Sequence, residues 1–235
     1  MTRPATASVP ASASGSEDRE TAGHTARLRI LDAAEHTFSE GGFGGASMKA
    51  IAIRAGVAQG LLHYHFDTKD GLYAAVIERR AGAINAEREA MLARVDTAAP
   101  DALPRILEAL LRPPLGPAGG GQAYARIFAG LLVGGTREAD LVARLYDPTA
   151  RRFIAALGAA CPDTAPETLS WAYNFAIGAL IATVARSGRP ERLVDTETVQ
   201  DTDAVVARLV EFATGGVEAA IARTGHIWDT AERGG

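Results

Sequence analysis

The sequence predicts an all-α fold, and three observations carry that prediction. Among its 235 residues are 48 alanines, the residue with the strongest intrinsic preference for helix. Apolar residues recur three and four positions apart along most of the chain, and no segment alternates with the two-residue period of a strand. Glycine and proline clusters fall mainly between these stretches, where they punctuate helices.

Residues 1–23 stand apart, since 16 of the 23 are Ala, Ser, Thr, Pro or Gly. So little apolar surface does not offset the entropy of ordering, and a mobile tail is expected. From Thr25 the spacing becomes helical, with Ile30, Ala34 and Phe38 on one stripe and Arg29, Asp32, Glu35 and His36 largely off it. Gly41 and Gly42 end that helix. Ser47 is placed to cap a short second helix carrying Met48, Ile51, Ala52 and Ala55, which Gly56 terminates. A third helix follows over Val57 to Phe66, Asp67 and Thr68 interrupt it, and Lys69 opens a longer fourth one that runs to about Val95. Further helices are expected over 102–111, 123–133, 139–160, 167–186 and 203–223, with Arg112 to Gly121 (RPPLGPAGGG) as a mobile internal loop.

The stretch Ser47 to Lys69, SMKAIAIRAGVAQGLLHYHFDTK, is the informative one. A short helix, a glycine turn and a second short helix in tight succession describe a helix-turn-helix. Ile51, Ala52, Ala55, Val57, Leu62 and Phe66 can lock the two helices together and leave Gln59, Gly60, Leu61, His63 and Tyr64 outward, on a helix of the size a DNA major groove accepts. Spacing alone would equally describe a solvated helix surface.

The residues themselves resemble the TetR (tetracycline-repressor-like) family of transcriptional regulators. The resemblance runs over residues 27–72: Phe38-Ser39-Glu40-Gly41-Gly42-Phe43, then Ser47-Met48-Lys49 with Ile51-Ala52, Ala55-Gly56-Val57, Gly60-Leu61-Leu62-His63-Tyr64-His65-Phe66, and Lys69 with Leu72. It implies a three-helix DNA-binding domain over 24–72 and a helical effector-binding and dimerisation domain over 73–235. On the matching positions, it implies that Lys49, Gln59, Gly60 and Leu61 face base edges, and that Ser47, His63, Tyr64, His65, Thr68 and Lys69 hold phosphates. The chemistry suits these tasks: Gln pairs with adenine, Lys donates to guanine, and Leu meets a thymine methyl. Three positions depart from the family pattern. Ala50 stands where an acidic residue often completes a capping box, Ala58 where Ser or Thr caps the recognition helix, and His63 where Tyr is usual.

Charge adds little. Residues 24–80 hold 7 Lys and Arg against 6 Asp and Glu, while residues 81–235 hold 15 against 19, so affinity for DNA has to come from a few placed donors, from helix termini and from doubling in a dimer. The segments 167–186 and 203–223 carry broad apolar surfaces and are expected to pair, across a two-fold axis, into a four-helix homodimer interface; an intramolecular core is the alternative. Phe175, Ile177, Leu180, Ile181 and Val184 face more than one way, so the first of these helices is expected to be sandwiched on both sides. Tyr124, Phe128, Trp171, Tyr173 and Phe175 are candidates for an apolar effector pocket, although aromatics at this spacing are more often plain core.

No chemistry points to an enzyme, since paired acids, phosphate loops and nucleophile elbows are missing. No cofactor and no metal is expected: His63 and His65 are two apart and do not share a helix face. The lone Cys161 makes no intramolecular disulfide, the N-terminal Arg3 and Arg19 frame no apolar signal segment, and the uncharged run Thr168 to Ala185 is broken by Ser170, Asn174 and Thr183, so a cytoplasmic protein without a membrane span is expected. The function these readings converge on is a homodimeric repressor of a palindromic operator in double-stranded DNA, released by a small-molecule effector. The alternatives are a DNA-binding or architectural protein without an effector and, more distantly, a helical metabolite-binding module.

Overall fold

A computed structural model describes residues 14–185, 189–195 and 201–222. All regular structure among them is helical: α1 (Ser14–Gly45), α2 (Met48–Ala55), α3 (Gln59–Phe66), α4 (Lys69–Leu92), α5 (Ala102–Leu111), α6 (Gly121–Val133), α7 (Thr136–Leu145), α8 (Asp147–Ala160), α9 (Pro166–Val184), α10 (Arg189–Leu193) and α11 (Thr202–Ala222), with two short 3-10 turns between α5 and α6. The chain divides into two compact units, residues 1–76 and 77–235.

In the first unit α1 packs on α2 and α3, and α2 on α3. The core is Ile30, Leu31, Ala34 and Phe38 from α1, Ile51, Ala52 and Ala55 from α2, Leu62 and Phe66 from α3, and Leu72, Tyr73 and Val76 from the start of α4. Phe38, Phe43 and Tyr73 close one side, with Tyr73 edge-on to both phenylalanines at 4.9 and 5.2 Å. Two expectations change here. Helix begins at Ser14, ten residues inside the segment read as a tail, because Glu17, Asp18, Arg19, Glu20 and Ala22 extend a helix that is already nucleated downstream; residues 1–13 lie outside the described residues. Glu35, placed off the apolar stripe, is only 2% exposed, since Leu31 one turn earlier widens the buried face. The helix does stop where the glycines stand: Gly42 leaves the helical region at φ 63°, ψ −176°.

The second unit is built on α5, α8, α9 and α11. Ile106, Leu107 and Leu110 of α5 meet Phe153 and Leu157 of α8, Leu169 and Leu180 of α9, and Val206 and Leu209 of α11. The single helix expected over 139–160 is two. Tyr146 breaks it at φ −114°, ψ −35°, and Pro148 in the first turn of α8, which lacks the N–H a continuing helix needs, explains why. The segment Arg112 to Gly121 is not a solvated loop, because Pro113, Pro114, Leu115 and Gly119 are buried in its two 3-10 turns. Nor is α9 sandwiched within one chain. Leu169, Ala172, Ala176, Ile177, Leu180 and Val184 are buried, but Trp171 and Phe175 are 55% and 66% exposed. On α11, Val206, Leu209, Ala213 and Val217 are buried and Phe212 is 72% exposed. Among the described residues no helix is long and apolar enough to cross a membrane.

Candidate nucleic-acid interface

Ser47, in extended backbone, starts α2 by accepting the Ala50 N–H on its hydroxyl at 3.1 Å. Such a cap contributes about 1 kcal/mol. Gly56 ends the helix at φ 63°, ψ 41°, a left-handed conformation that L side chains rarely adopt. Over this corner lies Arg29 of α1, whose Nη2 donates to the carbonyls of Ala55 at 2.6 Å and Gly56 at 3.1 Å. A cation on the last carbonyls of α2 satisfies acceptors that the helix itself leaves open. The turn that sets the angle between α2 and α3 is thus held from outside the motif.

Leu62 and Phe66 are the buried side chains of α3 and His65 is half-buried, whereas Gln59, Gly60, Leu61, His63 and Tyr64 are exposed, Tyr64 by 82%. As the sequence suggests, Ala58 starts this helix without a side-chain cap. His63 Nδ1 lies 2.8 Å from the Asp67 carbonyl and its Nε2 lies 3.5 Å from the Gln59 amide nitrogen. An imidazole that donates from Nδ1 and accepts at Nε2 fits both contacts, so His63 at once closes the end of α3 and steadies the glutamine one turn back. On α2, Lys49 and the 70% exposed Ile53 lie one turn apart and are also open to solvent.

Two residues expected at phosphates are also engaged within the protein. Lys69 Nζ donates to the carbonyls of Phe43 at 2.8 Å and Ala46 at 3.0 Å and lies 4.3 Å from the Phe43 ring centre, so two of its three N–H donors brace the loop before α2. No local pattern marks this role, because the partners are 23 and 26 residues away. His65 is half-buried between the Tyr64 and Phe66 rings, with Nε2 shielded and unpartnered, and is turned inward relative to its neighbours. Thr68 is exposed and caps α4, accepting the Gly71 N–H at 3.0 Å.

Sequence reasoning missed Arg29 and also Gly71. A Cβ on Gly71 would lie 2.6 Å from the Phe66 carbonyl oxygen, so only glycine lets α4 start this close to the end of α3. Lone arginines and glycines outside a motif carry no local pattern that could have marked them.

In the second unit the five aromatic candidates separate. Tyr124 and Phe128 are buried beside Tyr146, with Tyr124 and Tyr146 joined through their hydroxyls and the Phe128 ring 5.3 Å from that of Tyr146. Tyr173 is partly buried against the core, near enough to Arg88 and Tyr146 to interact with both electrostatically. Burial pushes Tyr146 up to about 12 and raises Tyr173 as well. Trp171 and Phe175 do not join them; they pair with each other, ring centres 5.6 Å apart, on the exposed side of α9. Alternation around α9 separates them from Tyr173, which the aromatic spacing alone did not reveal.

Comparison with known proteins agrees with this geometry. The description "Bacterial regulatory proteins, tetR family" matches residues 30–76, and "Tetracyclin repressor-like, C-terminal domain" matches residues 106–216. The HTH-type transcriptional regulator UidR of Escherichia coli is 43% identical over 61 residues, 26% of this chain and 31% of that protein. The HTH-type transcriptional activator FasR of Mycolicibacterium smegmatis is 37% identical over 71 residues, 30% of this chain and 32% of that one. The chain therefore matches only about a third of the length of these curated relatives. Among solved structures, FadR from Bacillus subtilis in complex with stearoyl-CoA shares the fold at a TM-score of 0.57 and 16% identity, over 80% of this chain and 98% of that one. With an exposed α3, a helix-turn-helix corner held by Arg29 of α1, a loop before α2 held by Lys69 of α4, and family matches to both its N-terminal unit and its body, the chain belongs to the tetR family of bacterial regulatory proteins.

Proposed function

We propose that the protein is a homodimeric repressor that binds a palindromic operator and is released by a small-molecule effector. The observation that carries this reading is α3: a helix held by Leu62 and Phe66 that presents Gln59, Gly60, Leu61 and Tyr64 outward. Gln59 and Leu61 are the base readers, Lys49 contributes from α2, and Ser47, Tyr64 and Thr68 set the register on phosphates, while His63, whose N–H goes to the Asp67 carbonyl, positions Gln59. Lys69 acts by holding the loop before α2, with its third N–H as a phosphate donor.

The exposed Trp171 and Phe175 of α9 and Phe212 of α11 support the dimer, since large aromatics cost free energy in water and two copies of these helices cover them. FadR holds stearoyl-CoA on the same fold, which supports a small-molecule site in the body. An effector switches the protein only if it binds the DNA-competent and released states unequally, and about 1–3 kcal/mol of coupling suffices. α4 belongs to both units and is the natural element to carry the difference.

Selection of bound fragments from genomic DNA, followed by titration of the recovered duplex at two salt concentrations, tests the reading. A recurring palindrome bound with a steep salt slope is expected. Uniform weak capture identifies an architectural binder instead, and release of transcription only when the protein is present makes it an activator, as FasR is named.

A further inference from the structure

The second unit holds an arginine in a place where arginines seldom lie. Arg88 of α4 is 1% exposed, and its Nε donates to the Leu110 carbonyl at 2.9 Å, but its Nη2 is buried with no hydrogen-bond partner among the described residues. A guanidinium stays protonated inside proteins, so a full positive charge is enclosed here. Buried charges are ordinarily paired. The groups that act on this one are the phenols of Tyr173, Tyr146 and Tyr124, hydroxyls and not carboxylates. The carboxylates nearest in the chain and in the cluster are engaged elsewhere: Glu89 takes Arg152 at 2.6 Å and the Thr149 hydroxyl at 3.0 Å, and Asp147, which acts on Tyr173, is paired with Arg151 at 3.7 Å. One turn before Arg88 on the same side of α4, Asn85 gives its amide nitrogen to the Leu145 carbonyl at 2.7 Å and leaves its Oδ1 buried and unpartnered.

We propose that Arg88 anchors a binding site for a small-molecule carboxylate, whose anionic group takes the unpartnered Nη2 and whose apolar part lies against Phe128 and the rings of Tyr124, Tyr146 and Tyr173. A single negative charge matches the single guanidinium. A phosphate monoester, with close to two, leaves one charge uncompensated among phenols. Ring walls that offer hydroxyls only at Tyr124, Tyr146 and Tyr173 suit an aromatic or aliphatic acid rather than a polyol or a peptide. Access has a structural candidate as well. Tyr146 follows α7, which keeps only Leu141 buried among its ten residues, so this helix is the cover most readily displaced. The inference deepens the effector reading above and depends on it for regulatory meaning, whereas binding of the acid depends on the body alone.

Thermal melting of the full chain with millimolar benzoate and octanoate, set against benzyl alcohol and octanol, tests it. At least one acid raises the melting temperature by several degrees, and which one responds tells an aromatic ligand from an aliphatic one; the alcohols leave it unchanged. Arg88→Met removes the buried charge at similar volume and abolishes the response. No response to either acid, an equal response to the alcohols, or a response that survives in Arg88→Met overturns the proposal. Should Arg88→Met not fold, the near-ultraviolet tyrosine bands of the unmodified protein decide: octanoate beside the phenols perturbs them, and unperturbed bands alongside a raised melting temperature place the acid elsewhere and overturn the site. Duplex binding is scored separately, on protein without added acid. Duplex binding without any acid response overturns the Arg88 site and leaves the repressor reading standing, while an acid response without duplex binding does the reverse.

Discussion

The reading head and the aromatic cluster of the body are both assembled around a few polar side chains, but they are assembled differently. Every outward residue of the head from Ser47 to Thr68 lies within one stretch of chain, on helices whose starts and stops obey local rules. The cluster around Arg88 draws on α4, α6, α9 and the joint between α7 and α8, so its members are up to 85 residues apart, from Arg88 to Tyr173. Local assembly places side chains outward for a large, repetitive partner. Non-local assembly encloses them and suits a small one.

The largest effect expected tests whether the two regions can be damaged separately. Leu62 of α3 and Leu110 of α5 are both fully buried, and truncating either to Ala costs about 2–5 kcal/mol. Chemical denaturation should show similar losses, but only Leu62→Ala should also abolish duplex binding where the protein is still folded. A Leu110→Ala protein with an altered base preference would break the separation. Next comes Lys69→Ala. Two hydrogen bonds from a charged donor are lost, at about 1.5 kcal/mol or more each, and the Phe43 and Ala46 carbonyls stay behind without them. Stability and affinity for every duplex fall together, and the order of preferred bases does not change.

The body's counterpart is an alkaline weakness. Tyr146 ionises near 10 in the unfolded chain and at about 12 in the fold, because burial disfavours the phenolate. Its contribution is complete below pH 10 and is lost as pH rises toward 12, since only the unfolded state gives up the proton in that window. The loss is on the order of 2 kcal/mol. Denaturant midpoints measured from pH 8 upward should fall across that range, and Tyr146→Phe should flatten the fall. A slope that is unchanged in Tyr146→Phe assigns the alkaline loss to another group.

What could be read from the sequence follows the same division. Ser47, Gly56, Ala58 and Thr68 were legible because a cap or a left-handed turn is decided by its own few residues. Where Lys69 and Arg29 send their side chains was not, since their acceptors lie more than 20 residues away. In the body, helix spacing found α5, α6, α9 and α11 to within a few residues, yet carried one helix across Tyr146, where Pro148 was outvoted by apolar periodicity on both sides. Arg88 had no signal at all. In sequence it is one of several charged residues on a long helix, and only the fold encloses it.

Gln59→Ala sharpens the comparison from the other direction, by touching function without packing. Gln59 is exposed, and its visible partner is the His63 ring, so stability hardly changes, whereas discrimination at one operator position drops by about 1–3 kcal/mol. Competition among single-base operator variants measures that drop. Equal losses on operator and random duplex would remove Gln59 from the base readers.

The smallest effect asks how much a local rule weighs when tertiary packing is thin. α3 buries two of its eight side chains and begins at Ala58 without a cap; α5 buries six of ten and begins at Asp101, also without a side-chain cap. Packing already fixes α5, and Asp101 is itself a capping residue type held at φ −100°, ψ 16°, outside the extended region, so Ser in its place adds little. α3 has less to hold it, and Ala58 has the extended backbone that a capping residue needs. Ala58→Ser should therefore raise the stability of the head by about 1 kcal/mol, read as slower amide exchange over residues 59–66 and a higher denaturant midpoint. Asp101→Ser should move neither by more than about half of that. Comparable gains at the two sites would mean that capping acts independently of burial, and the contrast between a locally specified head and a packed body would then describe where residues sit without describing what holds them.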